Sequence, residues 1–263
     1  MSCLILKFGG ASVATPRSFL KVADIIIERS KEYKQIVVVV SAMGKTTDKL
    51  LSLARKVSDN PAKREQDMLV SVGERISMAL LAMALQKKGK KSISFTGSQS
   101  GIITCSNHSE AKIIDVKPNR IIEALNNDNI VIVAGFQGVS REKEITTLGR
   151  GGSDSSAVAL AIALGTNEVE FYKDVLGIYD SDPKKNKNAN FLYSLTYEKA
   201  LDIIIKDNHP ILHPRCIKLA LDNNILLIIR SFKNFKKNIN KKIFTIIGKD
   251  SLKKATKVVY ENI

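Results

Sequence analysis

Six short apolar runs recur along the chain, at residues 3–8, 36–40, 93–95, 130–134, 169–172 and 225–229, each continuous rather than alternating. A strand with one face in water alternates apolar and polar residues, so a continuous run of this length needs cover on both faces, as in a parallel sheet. Between the runs lie segments of helical period at 16–30, 62–88, 153–164, 197–206 and 214–223, with Pro16 at a first-turn position where its missing N–H costs nothing. Strands alternating with helices of this length imply βαβ units. The expected fold is therefore α/β, a three-layer αβα sandwich with a mainly parallel central sheet.

Composition narrows the class further. With 44% hydrophobic residues in 263, the chain can bury a sizeable core, and 6 Pro and 15 Gly exclude a low-complexity or collagen-like protein. Cys3, Cys105 and Cys216 are an odd number, about a hundred residues apart and without a CxxC pair, so neither a disulfide framework nor a zinc knuckle is expected. The apolar start is broken by Lys7, Gly9 and Gly10, no run of 18 apolar residues follows, and a cytoplasmic protein without a membrane segment is expected. Lys and Arg outnumber Asp and Glu by 41 to 26, a net charge of +15, of which +7 falls after Ser231. Phosphate binding by nucleic-acid proteins needs such charge. The absence of Trp, the 6% aromatic content and the lack of zinc-finger or RNP motifs favour a solvated lysine-rich face instead.

In open α/β sheets ligands collect at the carboxyl ends of strands, so the loops there carry the chemistry. The first run passes into Lys7-Phe8-Gly9-Gly10-Ala11-Ser12-Val13 and then a helix. Two glycines let backbone amides approach an anion, and Lys7 adds a full charge; the same glycines could equally make only a tight turn. A second loop, Leu148-Gly149-Arg150-Gly151-Gly152-Ser153-Asp154, repeats the device with an arginine inside it, suited to clamp a carboxylate. Gly44-Lys45-Thr46 is no phosphate loop of the Walker type, because Val39 stands where the first glycine belongs.

KFGGASV at 7–13, VVSAMGKTTD at 39–48, SVGERIS at 71–77, TLGRGGSDSSA at 147–157, YKDVLGIYDSDP at 172–183 and LHPRCIKLA at 212–220, in that order, resemble the catalytic domain of the aspartate kinases, within the amino-acid kinase family. The resemblance implies transfer of the γ-phosphoryl group of ATP to the side-chain carboxylate of L-aspartate, with Mg²⁺ carried by the nucleotide, in a homodimer. It implies Lys7 and Asp154 as catalytic residues, Lys7 neutralising the migrating group and Asp154 orienting the lysine. ATP binding falls to Lys7, Gly9, Gly10, Gly151, Gly152, Lys173, Asp174, Tyr179, Asp182 and Lys184. The amino acid falls to Ser41, Thr47, Glu74, Arg150 and Ser153, with Glu74 receiving the ammonium and Arg150 a carboxylate. No metal-ligating side chains are implied, and His108, His209 and His213 make no metal spacing.

The resemblance covers residues 7 to about 231. It implies a catalytic domain at 1–231, with an amino-acid-binding part at roughly 1–146 and a nucleotide-binding part at roughly 147–231. Three positions depart from the family pattern: Ala11 stands for a common Thr, Lys173 for the usual Thr before the aspartate, and Pro210 for a second phosphate-contacting lysine. Sibling kinases acting on acetylglutamate, glutamate or UMP share the glycine loops, and an inert binding module of the same fold is the rival outside catalysis. The basic tail at 232–263 is shorter than the roughly 60 residues of a regulatory βαββαβ module of the ACT type. One strand at 243–247, one helix at 251–261, docking on the sheet or on another chain, and no end-product feedback are expected from it.

Overall fold

The computed structural model describes residues 3–183, 186–205, 211–233, 235 and 243–249. Lys184, His209, Pro210 and the helix expected at 251–261 lie outside the described residues. The chain runs β1 (Cys3–Phe8), α1 (Pro16–Arg29), β2 (Gln35–Val40), α2 (Thr46–Val57), α3 (Lys63–Val70), α4 (Val72–Lys87) and β3 (Ser92–Phe95). β4 (Ile102–Thr104), β5 (Ile113–Val116), α5 (Asn119–Asn126), β6 (Ile130–Ala134), β7 (Gln137–Ser140) and β8 (Ile145–Thr147) follow. Then come α6 (Gly152–Ala163), β9 (Glu168–Lys173), β10 (Ile178–Tyr179), β11 (Phe191–Leu192) and β12 (Ser194–Leu195). The last are α7 (Tyr197–Ile205), α8 (Pro214–Asn223), β13 (Leu226–Ser231) and β14 (Thr245–Ile247).

Eight strands form the central sheet in the order β12-β14-β13-β9-β1-β2-β6-β3, parallel throughout except where β14 meets β13. The continuous apolar runs have the cause inferred for them. Ile5, Val37, Val39 and Phe171 face a core shared with α5, α6, α7 and α8, while Leu4, Leu6, Phe8, Val38 and Val40 face one shared with α1 and α4. Alternate residues thus point into two different cores, and each fully buried aliphatic or aromatic side chain is worth about 1.5–3 kcal/mol. The mainly parallel αβα sandwich is therefore the architecture of this chain.

Local signals set the helix ends. Thr15 and Ser18 form a capping box ahead of α1, with Pro16 in its first turn. The helical segment expected at 62–88 is two helices broken at Ser71, whose N–H bonds back to Asp67. Together, 63–87 are long and apolar enough by length and composition to cross a membrane, although they contain no unbroken run of 18 apolar residues; half of the most apolar window is buried in the protein, as in a core helix. A second sheet, β5-β4-β7-β8, and the hairpin β10-β11 sit beside the main one. From the basic tail, β14 docks between β13 and β12.

These connections bring four strand ends together. Lys7 of β1 pairs in register with Val39 of β2 and Phe171 of β9. β2 runs on into Ser41, and β6 into Gly135 and Phe136, so the loops after β1, β2, β6 and β9 share one edge of the sheet. The chain changes sides at β1, flanked by β2 on one side and β9 on the other, which is the crevice such sheets use for ligands.

Candidate active site

At that crevice lies a cavity of about 570 Å³. Its floor holds Lys7, whose ammonium, 4% exposed as a residue, lies 2.6 Å from Asp154 Oδ1 in the first turn of α6. Lys173, at the end of β9, donates to Asp154 Oδ2 at 3.2 Å. One carboxylate therefore sits between two ammoniums and leaves the trio a net positive charge. Burial pushes Asp154 upward, and the charges of Lys173 and Lys7 with their hydrogen bonds more than reverse this, to about 2. Burial pulls Lys173 below its ordinary value, and Lys7 beside it acts in the same direction.

Glycine is required at two points of this floor. A Cβ on Gly10 would lie 2.8 Å from the carbonyl oxygen of Ala42 and 3.0 Å from that of Gly44, so the first loop can press against the loop after β2 only without a side chain. Gly151 has φ of +73° and would place a Cβ 2.2 Å from that of His213. It forms the left-handed N-cap of α6, and the following amides open the helix toward the cavity.

Glu74 supplies the opposing charge. It stands in the first turn of α4, 3% exposed, and Oε1 accepts from Ala42 N at 2.9 Å. Oε2 is buried with no hydrogen-bond partner among the described residues. Burial raises this carboxyl to about 7, against the lowering effect of the Ala42 and Glu74 N–H groups and the Lys7 charge. Arg150 lies exposed at the rim, with no hydrogen bond or ion pair to its guanidinium among the described residues.

The cavity thus gathers Lys7, Gly10, Ser41, Thr47, Glu74 and Arg150, and with them Gly151, Gly152, Ser153 and Asp154. Gly9, Lys173, Asp174, Tyr179 and Asp182 are not in its lining, although a Cβ on Gly9 would stand 3.7 Å from Lys7 Nζ and Lys173 backs the floor through Asp154. Asp174 and Asp182 are exposed along the segment after β9. Tyr179 packs edge-on against Phe191 in the hairpin, and Ile178 N donates to Thr245 Oγ1.

Several wall residues escaped the sequence reading. Phe136 lines the cavity with a left-handed φ of +68°, costly for a bulky residue. Nothing in Gly135-Phe136-Gln137 announces that. Asp48 and Arg55 of α2 and Asp67 of α3 reach the cavity, and α2 was not among the helices expected, although Leu50, Leu53, Ala54 and Val57 recur in it at helical spacing. Gly44, set aside as part of a false phosphate motif, also lines it.

A cavity at the strand ends with a lysine, a glycine-rich helix N-terminus and an acid between two lysines is an α/β site suited to anionic ligands, and the chain matches the amino acid kinase family over residues 2–231. It belongs to that family. Its relatives are narrower in kind: it is 49% identical over 232 residues to the aspartokinase of Mycolicibacterium smegmatis and 44% identical over 231 residues to aspartokinase 2 of Bacillus subtilis. Those alignments take in 88% of this chain and 55% and 56% of the relatives, so the chain spans about half their length. Among solved structures, aspartate kinase from Synechocystis superposes with a TM-score of 0.81 at 38% identity, over 94% of this chain and 40% of that one. E. coli aspartokinase III, solved with aspartate and ADP, gives 0.82 at 23% identity over 95% of this chain and 65% of that one, a likeness of fold.

Proposed function

We propose that this chain phosphorylates the side-chain carboxylate of L-aspartate with ATP, giving 4-phospho-L-aspartate and ADP, the first step toward lysine, threonine and methionine. The observation that carries the reading is Glu74 Oε2, a buried and unpaired carboxylate oxygen in the same cavity as Arg150 and the Lys7–Asp154–Lys173 trio. An amino acid with one ammonium and two carboxylates answers all three features. Glu74 takes the ammonium, Arg150 with Ser41, Thr47 and Ser153 takes the carboxylate that does not react, and the reacting carboxylate faces Lys7.

Phosphoryl transfer of this kind is mostly positioning and charge neutralisation. Lys7 stabilises the group in flight. Asp154 holds Lys7 in place, and Lys173 shares that carboxylate, so Lys7 is only partly neutralised by its own orienter. The amides of Gly9, Gly10, Gly151 and Gly152 hold phosphate oxygens, while Lys173, Asp174, Tyr179, Asp182 and Lys184 belong to the nucleotide side. On this reading roughly residues 1–146 serve mainly the amino acid and roughly 147–231 mainly the nucleotide, with Lys7, Gly9 and Gly10 crossing to the phosphates and Arg150 and Ser153 to the amino acid. Among the described residues no three His, Cys, Asp or Glu side chains cluster to hold a metal. That fits a Mg²⁺ ligated by the nucleotide's phosphate oxygens and water, where it neutralises charge on the phosphates. A cytoplasmic homodimer that binds neither membrane nor nucleic acid completes the proposal.

The test is ADP release coupled to a reporter enzyme, with aspartate, glutamate, acetylglutamate and UMP as acceptors. Turnover confined to aspartate is the expected result. Activity with another acceptor moves the chain to a sibling kinase, and no turnover with any, alongside measurable ATP binding, makes it an inert module.

A further inference from the structure

The loop that carries Arg150 has glycine at 149, 151 and 152 and so little stiffness of its own, yet its arginine must meet a small ligand at a fixed place. Its shape is imposed from outside. Asp67 of α3 is fully buried, with no Lys or Arg on it among the described residues, and both its oxygens are taken up. Thr147 donates to it through N at 3.1 Å and through Oγ1; Ser109 N donates at 3.0 Å, and His108 Nδ1 lies 2.8 Å away. On the far side, Arg215 of α8 forks between two carbonyls, Nη1 donating to Leu148 O and Nη2 to Ala111 O at 2.7 Å. Thr147 O accepts from Ala111 N at 2.9 Å, which closes the ring of contacts. Arg150, two residues on from Leu148, lines the cavity from its exposed rim with no hydrogen bond or ion pair to its guanidinium among the described residues.

We infer that Asp67 and Arg215 are positioning residues that clamp Thr147 and Leu148 and thereby aim Arg150, setting the affinity for the acidic acceptor. The inference rests on the aspartate kinase reading for its substrate. A buried aspartate serving only as a helix fixture would not act through one arginine. Asp67→Ala leaves the Thr147 and Ser109 amides without an acceptor, whereas Asp67→Asn keeps one carbonyl oxygen for them, so the second should recover most of what the first loses.

Steady-state kinetics of the full chain read this directly. Asp67→Ala should raise the aspartate KM at least tenfold, with kcat within threefold and the ATP KM within twofold; Asp67→Asn should raise it less than fourfold. On an Arg150→Ala background Asp67→Ala should change the aspartate KM by less than twofold, because its path of action is already gone. Equal effects on both backgrounds, or a loss shared by both substrates, would overturn the clamp. Arg215→Met is read in the same way should Asp67→Ala not accumulate as folded protein. Amide exchange at 147–152, expected at least tenfold faster in Asp67→Ala or Arg215→Met than in the native chain while exchange in the central strands changes less, each protein being measured the same interval below its own thermal midpoint, separates the two readings. Unchanged exchange sinks the clamp whatever the turnover, and faster exchange in a chain that never turns over aspartate keeps the clamp and discards the substrate.

Discussion

Burial holds Glu74 against its own ionisation. A carboxyl at about 7 in the folded chain and 4.5 outside it binds more protons folded than unfolded between those values, so its contribution to stability falls as pH rises through that window. Above pH 7 the cost to the free protein is about 3 kcal/mol. Glu74→Gln should therefore stabilise the free protein at pH 8 in urea titrations by up to that amount and leave it unchanged below pH 4.5. In the same variant the aspartate KM should rise by roughly tenfold or more, since a neutral amide cannot pair with an ammonium. The native KM should rise as pH drops below 7. Lys7→Ala should lower kcat about 10²- to 10³-fold with little change in aspartate KM, because its charge counts most in the transition state; a kcat within twofold would remove Lys7 from the phosphoryl site. Arg150→Ala should do the reverse. Residues of this kind were legible because each sits in a motif: Lys7, Glu74 and Arg150 were named from their neighbours. Asp67 was not, since in the run Lys63-Arg64-Glu65-Gln66-Asp67 it reads as one more surface charge. Only the folded chain shows it fully enclosed.

At the scale of elements, α6 shows how much a buried helix depends on small side chains. From Gly152 to Ile162 every residue is buried, and its middle alternates alanine with Val158, Leu160 and Ile162. It packs on β1, β2 and β9 as well as on α8. Ala159→Leu has no space to enter, and a loss of 1–3 kcal/mol with an unchanged urea m-value is expected. Seven of the eight strands of the central sheet were readable from sequence to within two residues, because two-sided burial leaves mainly apolar runs; two-residue β12 was not. α2, α5 and the second sheet were not. α2 does carry a helical period in Leu50, Leu53, Ala54 and Val57, but it was overlooked behind Gly44-Lys45-Thr46, which was weighed only as a phosphate loop; α5 has only eight residues, and β4, β5, β7 and β8 have three or four each, too few for a period to stand out. The break at Ser71 was missed because serine is tolerated inside helices and Gly73, the one local sign of a weakened helix, was taken only as part of the SVGERIS motif.

For the molecule as a whole, one carboxylate ties three elements across the sheet face opposite the cavity floor. Glu170 of β9, fully buried, accepts from Arg29 of α1 at 2.9 Å and 3.1 Å, from Arg230 of β13 at 2.8 Å and from the Tyr172 hydroxyl at 2.7 Å. Glu170→Ala would leave two guanidiniums mostly buried without their shared partner, and a loss of about 3–5 kcal/mol in equilibrium unfolding is expected. The same scale gives β14 its meaning. Its three residues lie beyond the stretch that matches the family, yet they fill a place inside the sheet, with β13 on one side and β12 on the other, and Thr245 Oγ1 receives the Ile178 amide of the hairpin. A growing polypeptide emerges from the ribosome in order, at about 5–20 residues per second. The sheet therefore stays incomplete, with β12 lacking its β14 partner and the Ile178 amide its acceptor, until residue 247 has left the exit tunnel, well after the segments bearing Lys7, Glu74 and Arg150 have emerged.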